Sequence, residues 1–460
     1  MDADLELARV HLDEGPSPAT TASGPVQQRK VSRRKQLSAT YAAYVSVMLF
    51  MVIYCARPED WIPGLSAVPL AKIVGILSLI AFLLSLGQIR QRFPREVIFL
   101  LLLIGQLFAT VPMSPVWRAG AFVHALDFAK VGFIVLVMVM VATAFQRLRQ
   151  LLFIQGASVA IICAVTVLKG RMRSGRLEGI LNGNYGNSND LALAIVISLP
   201  LCLALFFLSK RILWRIMWAV AMVVMAYALL LTGSRGGFLA LAISGGVCLW
   251  EFAVRGRRFY LLPLAGLLGA VLLVLSSGIM SQRLKATFDT GDDATSAYGS
   301  AQARQRLLWR SLEITAEHPL FGIGPGNFQV ISGVWHETHN SYTQISSEAG
   351  IPALILYLSI LWCGFRNIRI VKKSSQNEKQ LKLLAGALHA SLAGFVIGSC
   401  FGSVAYQFFP YFIVAYTTVL LRIAQEHAAR SERQKLLRPN VPKNLQAESF
   451  NAAVVFGQSG

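Results

Sequence analysis

The sequence predicts an all-α, polytopic membrane protein with about twelve transmembrane helices and a large, partly helical periplasmic loop between the ninth and tenth. Three observations predict it. The chain is 55% hydrophobic and 14% charged, against roughly 25% charged in soluble domains. Apolar runs of about 20 residues, enough to cross a hydrocarbon core ~30 Å thick, recur along it. Lys and Arg collect on alternate connections between those runs.

The runs lie near residues 38–56, 67–86, 96–112, 120–143, 149–168, 189–208, 212–231, 236–254, 259–279, 344–365, 382–401 and 408–425. A net charge of +20 raises nucleic acid as a partner, but a nucleic-acid binder gathers its cations on one folded face with interleaved aromatics. Here they sit between apolar runs: Arg29 to Lys35 before the first, then Arg90/Arg92/Arg95, Arg147/Arg149, Lys210/Arg211/Arg215, Arg255/Arg257/Arg258 and Arg366 to Lys382, each after an even-numbered run. The charge is therefore topological; it puts both termini in the cytoplasm, with the bilayer and not nucleic acid as surroundings. Residues 1–36 and 427–460 are polar and read as disordered cytoplasmic tails. Residues 37–280 carry nine helices, 281–343 the loop and 344–426 three more. No cleavable signal peptide is expected, because residues 1–25 are acidic and polar. Six cysteines fall singly in or beside apolar runs, without metal-site spacing, and read as reduced packing residues.

Two connections break the charge rule: the fifth (Lys169, Arg171, Arg173, Arg176) and the long ninth. A polar stretch as long as 281–343 in a compact protein is functional or disordered. Leu307, Leu308, Ser311, Leu312 and Thr315 recur at helical spacing inside it and predict an amphipathic helix over 301–317, ended by His318-Pro319.

Several constellations carry chemistry. In TGSRGG (232–237) the glycines suit a hairpin turn and an arginine at a membrane edge can snorkel, yet Arg235 lies on the side where short loops avoid positive charge. Arg304 and Arg306, with Arg310 beyond them, open the predicted loop helix, where an anion is favoured and guanidinium binds phosphate bidentately; the competing reading is a solvated face balanced by Glu313 and Glu317. The glycines of GIGPGNF (322–328) lack the Lys-Ser/Thr of a phosphate loop and read as a sharp turn. His336 and His339 are three apart, one short of the metalloprotease spacing, so no metal is expected. Histidine is otherwise the residue suited to accepting a proton near neutral pH, and His339 stands among Asn340, Tyr342, Gln344 and Glu348. Amides such as Asn187 and Asn189 suit sugar hydroxyls but are also ordinary turn formers. His124, Asp127 and Lys130 form a stripe in the fourth run, a structural ion pair or a site.

These signals fall in one order: GNYGNSND, TGSRGG, SAQAR with a following tryptophan, HPLFGIGPGNF, then THNSYTQISSEAGI, with RPEDWIP (57–63) far upstream. That order resembles the O-antigen ligase and O-antigen polymerase family of bacterial membrane glycosyltransferases, over about residues 180–365. The resemblance implies a multi-pass inner-membrane enzyme with no cofactor. It would take a glycan from undecaprenyl diphosphate on the periplasmic side and transfer it to an acceptor hydroxyl of a lipid A core, a growing polysaccharide or another envelope molecule. It further implies that Arg235 and Arg304 hold the lipid diphosphate and that His339 acts at the acceptor. Arg306, Arg310, Asn340, Tyr342, Glu348, Asn187 and Asn189 are then candidate substrate-binding residues. The family shows arginine four residues before the tryptophan; here that position is Gln305, and the SAQAR context points to Arg304. Ligase and polymerase share the signature. A lipid-linked glycan transporter or flippase is the alternative of another class, and would call for matching repeats.

Overall fold

The computed structural model describes residues 25–88, 92–173, 176–178, 185–271, 274, 294–333, 336–375 and 378–437. The helices, in chain order, are α1 (Pro25–Ala56), α2 (Pro58–Trp61), α3 (Leu70–Ser85), α4 (Arg95–Met113), α5 (Arg118–Val141), α6 (Phe145–Lys169), α7 (Ser188–Leu208), α8 (Ile212–Thr232), α9 (Arg235–Cys248), α10 (Leu261–Val271), α11 (Ala294–Glu317), α12 (Phe328–Ile331), α13 (Ser341–Ser374), α14 (Lys379–Gly398) and α15 (Phe408–Leu437). Among the described residues, eleven helices are long and apolar enough to cross a membrane. The predicted ninth span, 259–279, is represented by the shorter apolar α10; its end, the loop to residue 293, the amide-rich 179–184 and the outer parts of both tails, 1–24 and 438–460, lie outside the described residues. The chain is an all-α membrane protein, with one short antiparallel ribbon, Arg171–Arg173 against Arg176–Glu178, in the fifth connection.

Three boundaries differ from expectation. Residues 25–36 belong to α1 and 427–437 to α15, so neither tail is wholly irregular: polarity lowers the drive to bury a segment but does not stop a helix propagating outward from a packed one. The loop helix α11 starts at Ala294, so Arg304 and Arg306 sit in its middle and gain nothing from its amino-terminal N–H groups. Its buried face runs through Leu307, Ser311 and Ile314, with Leu312 41% exposed. At 3.6 residues per turn Ser311 and Ile314 lie within about 40° of Leu307 round the helix, whereas Leu312 lies about 140° away and faces outward.

Small residues let the inner helices close up, as packing without a hydrophobic drive requires. Gly394 and Gly398, one turn apart on α14, face Val196 and Leu193 of α7 and Ser244 and Ala240 of α9. α13 packs on α15 and α4, α1 on α3 and α6, and α11 lies across α13, where the Thr315 and Ser346 hydroxyls share a hydrogen bond of 2.9 Å. The six cysteines are all free. α13 breaks at Gly350 (φ 83°), where a side chain would collide with the Leu320 carbonyl. Gly322 (φ 62°) lies in turn against the backbone of Glu348. These two glycines interlock the GIGPGNF turn with the broken first turns of α13, and Gln106 of α4 donates to both the Leu320 and Ala349 carbonyls, at 2.8 and 3.1 Å.

Candidate functional site

Arg235 is placed by a chain of caps. Gly233, in the left-handed conformation, closes α8, and Ser234 caps α9, accepting from the Gly237 N–H at 3.1 Å. The Ser234 hydroxyl donates to Asn189 Oδ1 at 2.7 Å. Arg176 donates to the same oxygen at 2.9 Å and to the Thr232 carbonyl at 3.0 Å. One arginine of the anomalous fifth connection is thus a brace for the TGSRGG turn. Arg235 follows as the first residue of α9, exposed, where the free N–H groups of the helix end add positive potential.

His339 is held by its backbone. It adopts φ 54°, uncommon for a residue with a side chain, and its N–H donates to Ser403 Oγ at 2.8 Å. Ser403 also meets Thr338 Oγ1 at 3.1 Å, and the Ser341 hydroxyl donates to the Gly402 carbonyl at 2.7 Å. The connection between α14 and α15 therefore clamps the start of α13. Asn340 is the helix cap, accepting from the Tyr342 and Thr343 N–H groups at 2.9 and 3.2 Å.

Arg304, half-buried on α11, comes close enough to both to couple electrostatically. Burial first, then the like charge of Arg235, hold its guanidinium below the usual range. Burial, then Arg304 and then His336, push the His339 imidazole down to about 4. No carboxylate pairs with Arg235 or Arg304 among the described residues. Two guanidiniums without a described carboxylate partner, beside a neutral imidazole, can bind an anion and accept a proton.

The other predicted residues are exposed or have partners of their own. Arg306 is exposed, and Arg310 pairs with Glu313 at 2.6 Å on the solvated face. Glu348 is 2% exposed, with Oε1 accepting from the Phe328 N–H at 3.3 Å, and braces the GNF turn. Tyr342 donates to the Val396 carbonyl at 2.8 Å. Asn187 caps α7 and Asn189 ties Ser234 to Arg176. These polar groups cap helices and brace turns around the candidate site. Asp127 and Lys130 pair at 2.6 Å, both more than half exposed. Ser403 carried no sequence signal; Arg176 stood out only as part of the anomalous fifth connection, and Glu337, which accepts from Gln329 at 3.0 Å, only as the carboxylate inside HETHNSY.

The family model described as O-antigen ligase matches residues 220–358, which bears out the resemblance read from the sequence and supports a membrane glycosyltransferase of the ligase or polymerase type. The match contains Arg235, Arg304 and His339. No curated protein matches the chain. A solved structure described as "Structural coordination of polymerization and crosslinking by a peptidoglycan synthase complex" is similar at 16% identity over 72% of this chain and 97% of that one, with a TM-score of 0.38, too low to carry an argument.

Proposed function

We propose that this chain, whose residues 220–358 fall in the O-antigen ligase family, transfers a glycan from undecaprenyl diphosphate to an acceptor hydroxyl on the periplasmic side of the inner membrane. The observation that carries the reading is Arg304, coupled on one side to Arg235 and on the other to a neutral His339, with neither arginine paired to a described carboxylate. The acceptor oxygen attacks the anomeric carbon, its proton passes to His339, and the bond from that carbon to the diphosphate oxygen breaks. The departing diphosphate gathers negative charge, which fixed cations stabilise more in the transition state than in the ground state. Arg235, at a helix start, and Arg304, on a separate helix, grip that leaving group from two directions.

An imidazole that gains its proton only near pH 4 is a weak base before the donor binds. The bound diphosphate supplies anionic charge that offsets Arg304, so the imidazole regains basicity when the donor is present. The test is genetic and chemical: a deletion strain complemented with Arg235→Ala or His339→Ala should make membrane-inserted protein and no transferred surface glycan. Normal glycan in both variants rejects the reading. Mass spectrometry of the envelope glycans separates ligase from polymerase, since lost attachment and lost chain length differ in mass.

A further inference from the structure

The same helices carry a second polar feature at their other ends. α9 runs from Arg235 into a wider π-type turn, Leu249–Val254, and α13 runs from Ser341 to Ser374. Some twenty residues at 1.5 Å each put that end about 30 Å from the site above. There a cavity of about 1220 Å³ opens between the π-type turn, the end of α13 and the start of α14. Eight lysine and arginine side chains line it, against one carboxylate among the described lining residues, Glu251. Glu251 is already engaged, accepting from Lys372 at 2.6 Å and lying 3.1 Å from His389 Nδ1.

Positive charge at cytoplasmic helix ends is expected from topology alone, but topology asks only for a count, with side chains splayed into water. Here Arg255, Arg369, Lys373, Lys379 and Lys382 from three elements converge on one hollow. The backbone is shaped for it: the Arg255 N–H reaches back five residues to the Trp250 carbonyl, and Arg257 takes φ 53°. Such π turns interrupt helices frequently at functional sites. The hollow is far too large for one ordered water and has more cationic charge than its own carboxylate can offset.

We propose that this cavity binds the phosphate headgroup of an anionic phospholipid. Phosphate chemistry follows from the arginine and lysine lining. A lipid source, rather than a free phosphate, follows from the exposed aromatics beside it: Trp250, in the lining, is 55% exposed, and Phe259 and Tyr260, which directly follow the lining residue Arg258 in the chain, are 59% and 60% exposed, as in the aromatic belt of a membrane interface. Because the cavity joins α9 to α13 and α14, an occupant there braces two helices whose opposite ends carry Arg235 and His339.

The test uses the full chain purified in detergent and native mass spectrometry with phosphatidylglycerol, with phosphatidylethanolamine as the zwitterionic comparison. The combined variant Arg369→Gln, Lys379→Gln, Lys382→Gln should bind phosphatidylglycerol at least tenfold more weakly than the native chain. The combination Lys210→Gln, Arg211→Gln, Arg215→Gln removes as many charges from another basic connection and should leave binding within twofold. Lys379→Gln alone, exposed at a helix start, should lose two- to threefold and covers failure of the triple variant to fold. Equal retention by pocket and control variants, or equal binding of phosphatidylethanolamine, overturns the proposal. Inorganic pyrophosphate displacing the lipid at equal concentration overturns the lipid source.

Discussion

The two ends of α9 and α13 hold positive charge in opposite ways. At the Arg235 end there are two guanidiniums, Arg235 at a capped helix start and Arg304 half-buried on α11, paired with no described carboxylate. At the Glu251 end there are eight Lys and Arg side chains round a hollow, with a carboxylate, a lysine and a histidine tied together at its floor. Abundant charge suits recruitment of an anionic surface, because each exposed side chain adds a small increment to one shared field. Sparse, fixed and unneutralised charge suits chemistry, because its field is already oriented when charge develops in the substrate. Placement, more than number, separates the two regions.

Loss of turnover should separate the two ends most strongly. Arg235→Ala, Arg304→Gln and His339→Ala should each lower transfer about 10²–10³-fold, the range for removing a fixed charge or a general base. Arg310→Gln, further along α11 from Arg304 and already paired with Glu313, should change it less than twofold. Equal losses at Arg304 and Arg310, read in one transfer assay, would erase the distinction between placed and merely present charge.

Next in size is Gly350→Ala. It forces a side chain onto the Leu320 carbonyl at φ 83° and should cost about 1–3 kcal/mol, seen as a lower unfolding midpoint in detergent. Ser403→Ala removes the acceptor of the His339 N–H and should cost about 1 kcal/mol. Turnover should fall about tenfold while donor binding is retained, since Ser403 meets the histidine's backbone and neither arginine.

The pH profile should move least. The His339 imidazole, held down at about 4 instead of 6.5, stays neutral as pH falls through 6 and 5 and gains its proton only near 4. Activity per donor encounter should therefore persist to about pH 5. His336→Gln removes one of the neighbours that hold the imidazole down, lets His339 protonate at higher pH, and should move the acid limb upward by a few tenths of a unit. An unmoved limb would detach His336 from the site.

The spans were legible because a bilayer demands apolar length, and that demand is written in composition. Arg235, Arg304 and His339 were legible as charges or a titrating ring out of place. Asn187, Asn189, Asn340, Tyr342 and Glu348 carry two readings for a shared reason: the groups that bind sugar hydroxyls also cap helices and brace turns, and sequence alone does not say which. Ser403 is 64 residues from His339, and no local pattern links a serine to a backbone N–H at that distance. The start of α11 was placed too late because Ala294 to Gly299 consists mostly of small residues and carries no apolar period to announce a helix.

Whether Arg235, Arg304 and His339 form one transfer site can be decided with purified chain in proteoliposomes, given a labelled undecaprenyl-diphosphate glycan and an acceptor. Each glycan covalently attached should release one undecaprenyl diphosphate, and His339→Ala should abolish both events while still binding the donor. Label crossing the bilayer without covalent transfer, or full transfer by His339→Ala, would rule that site out.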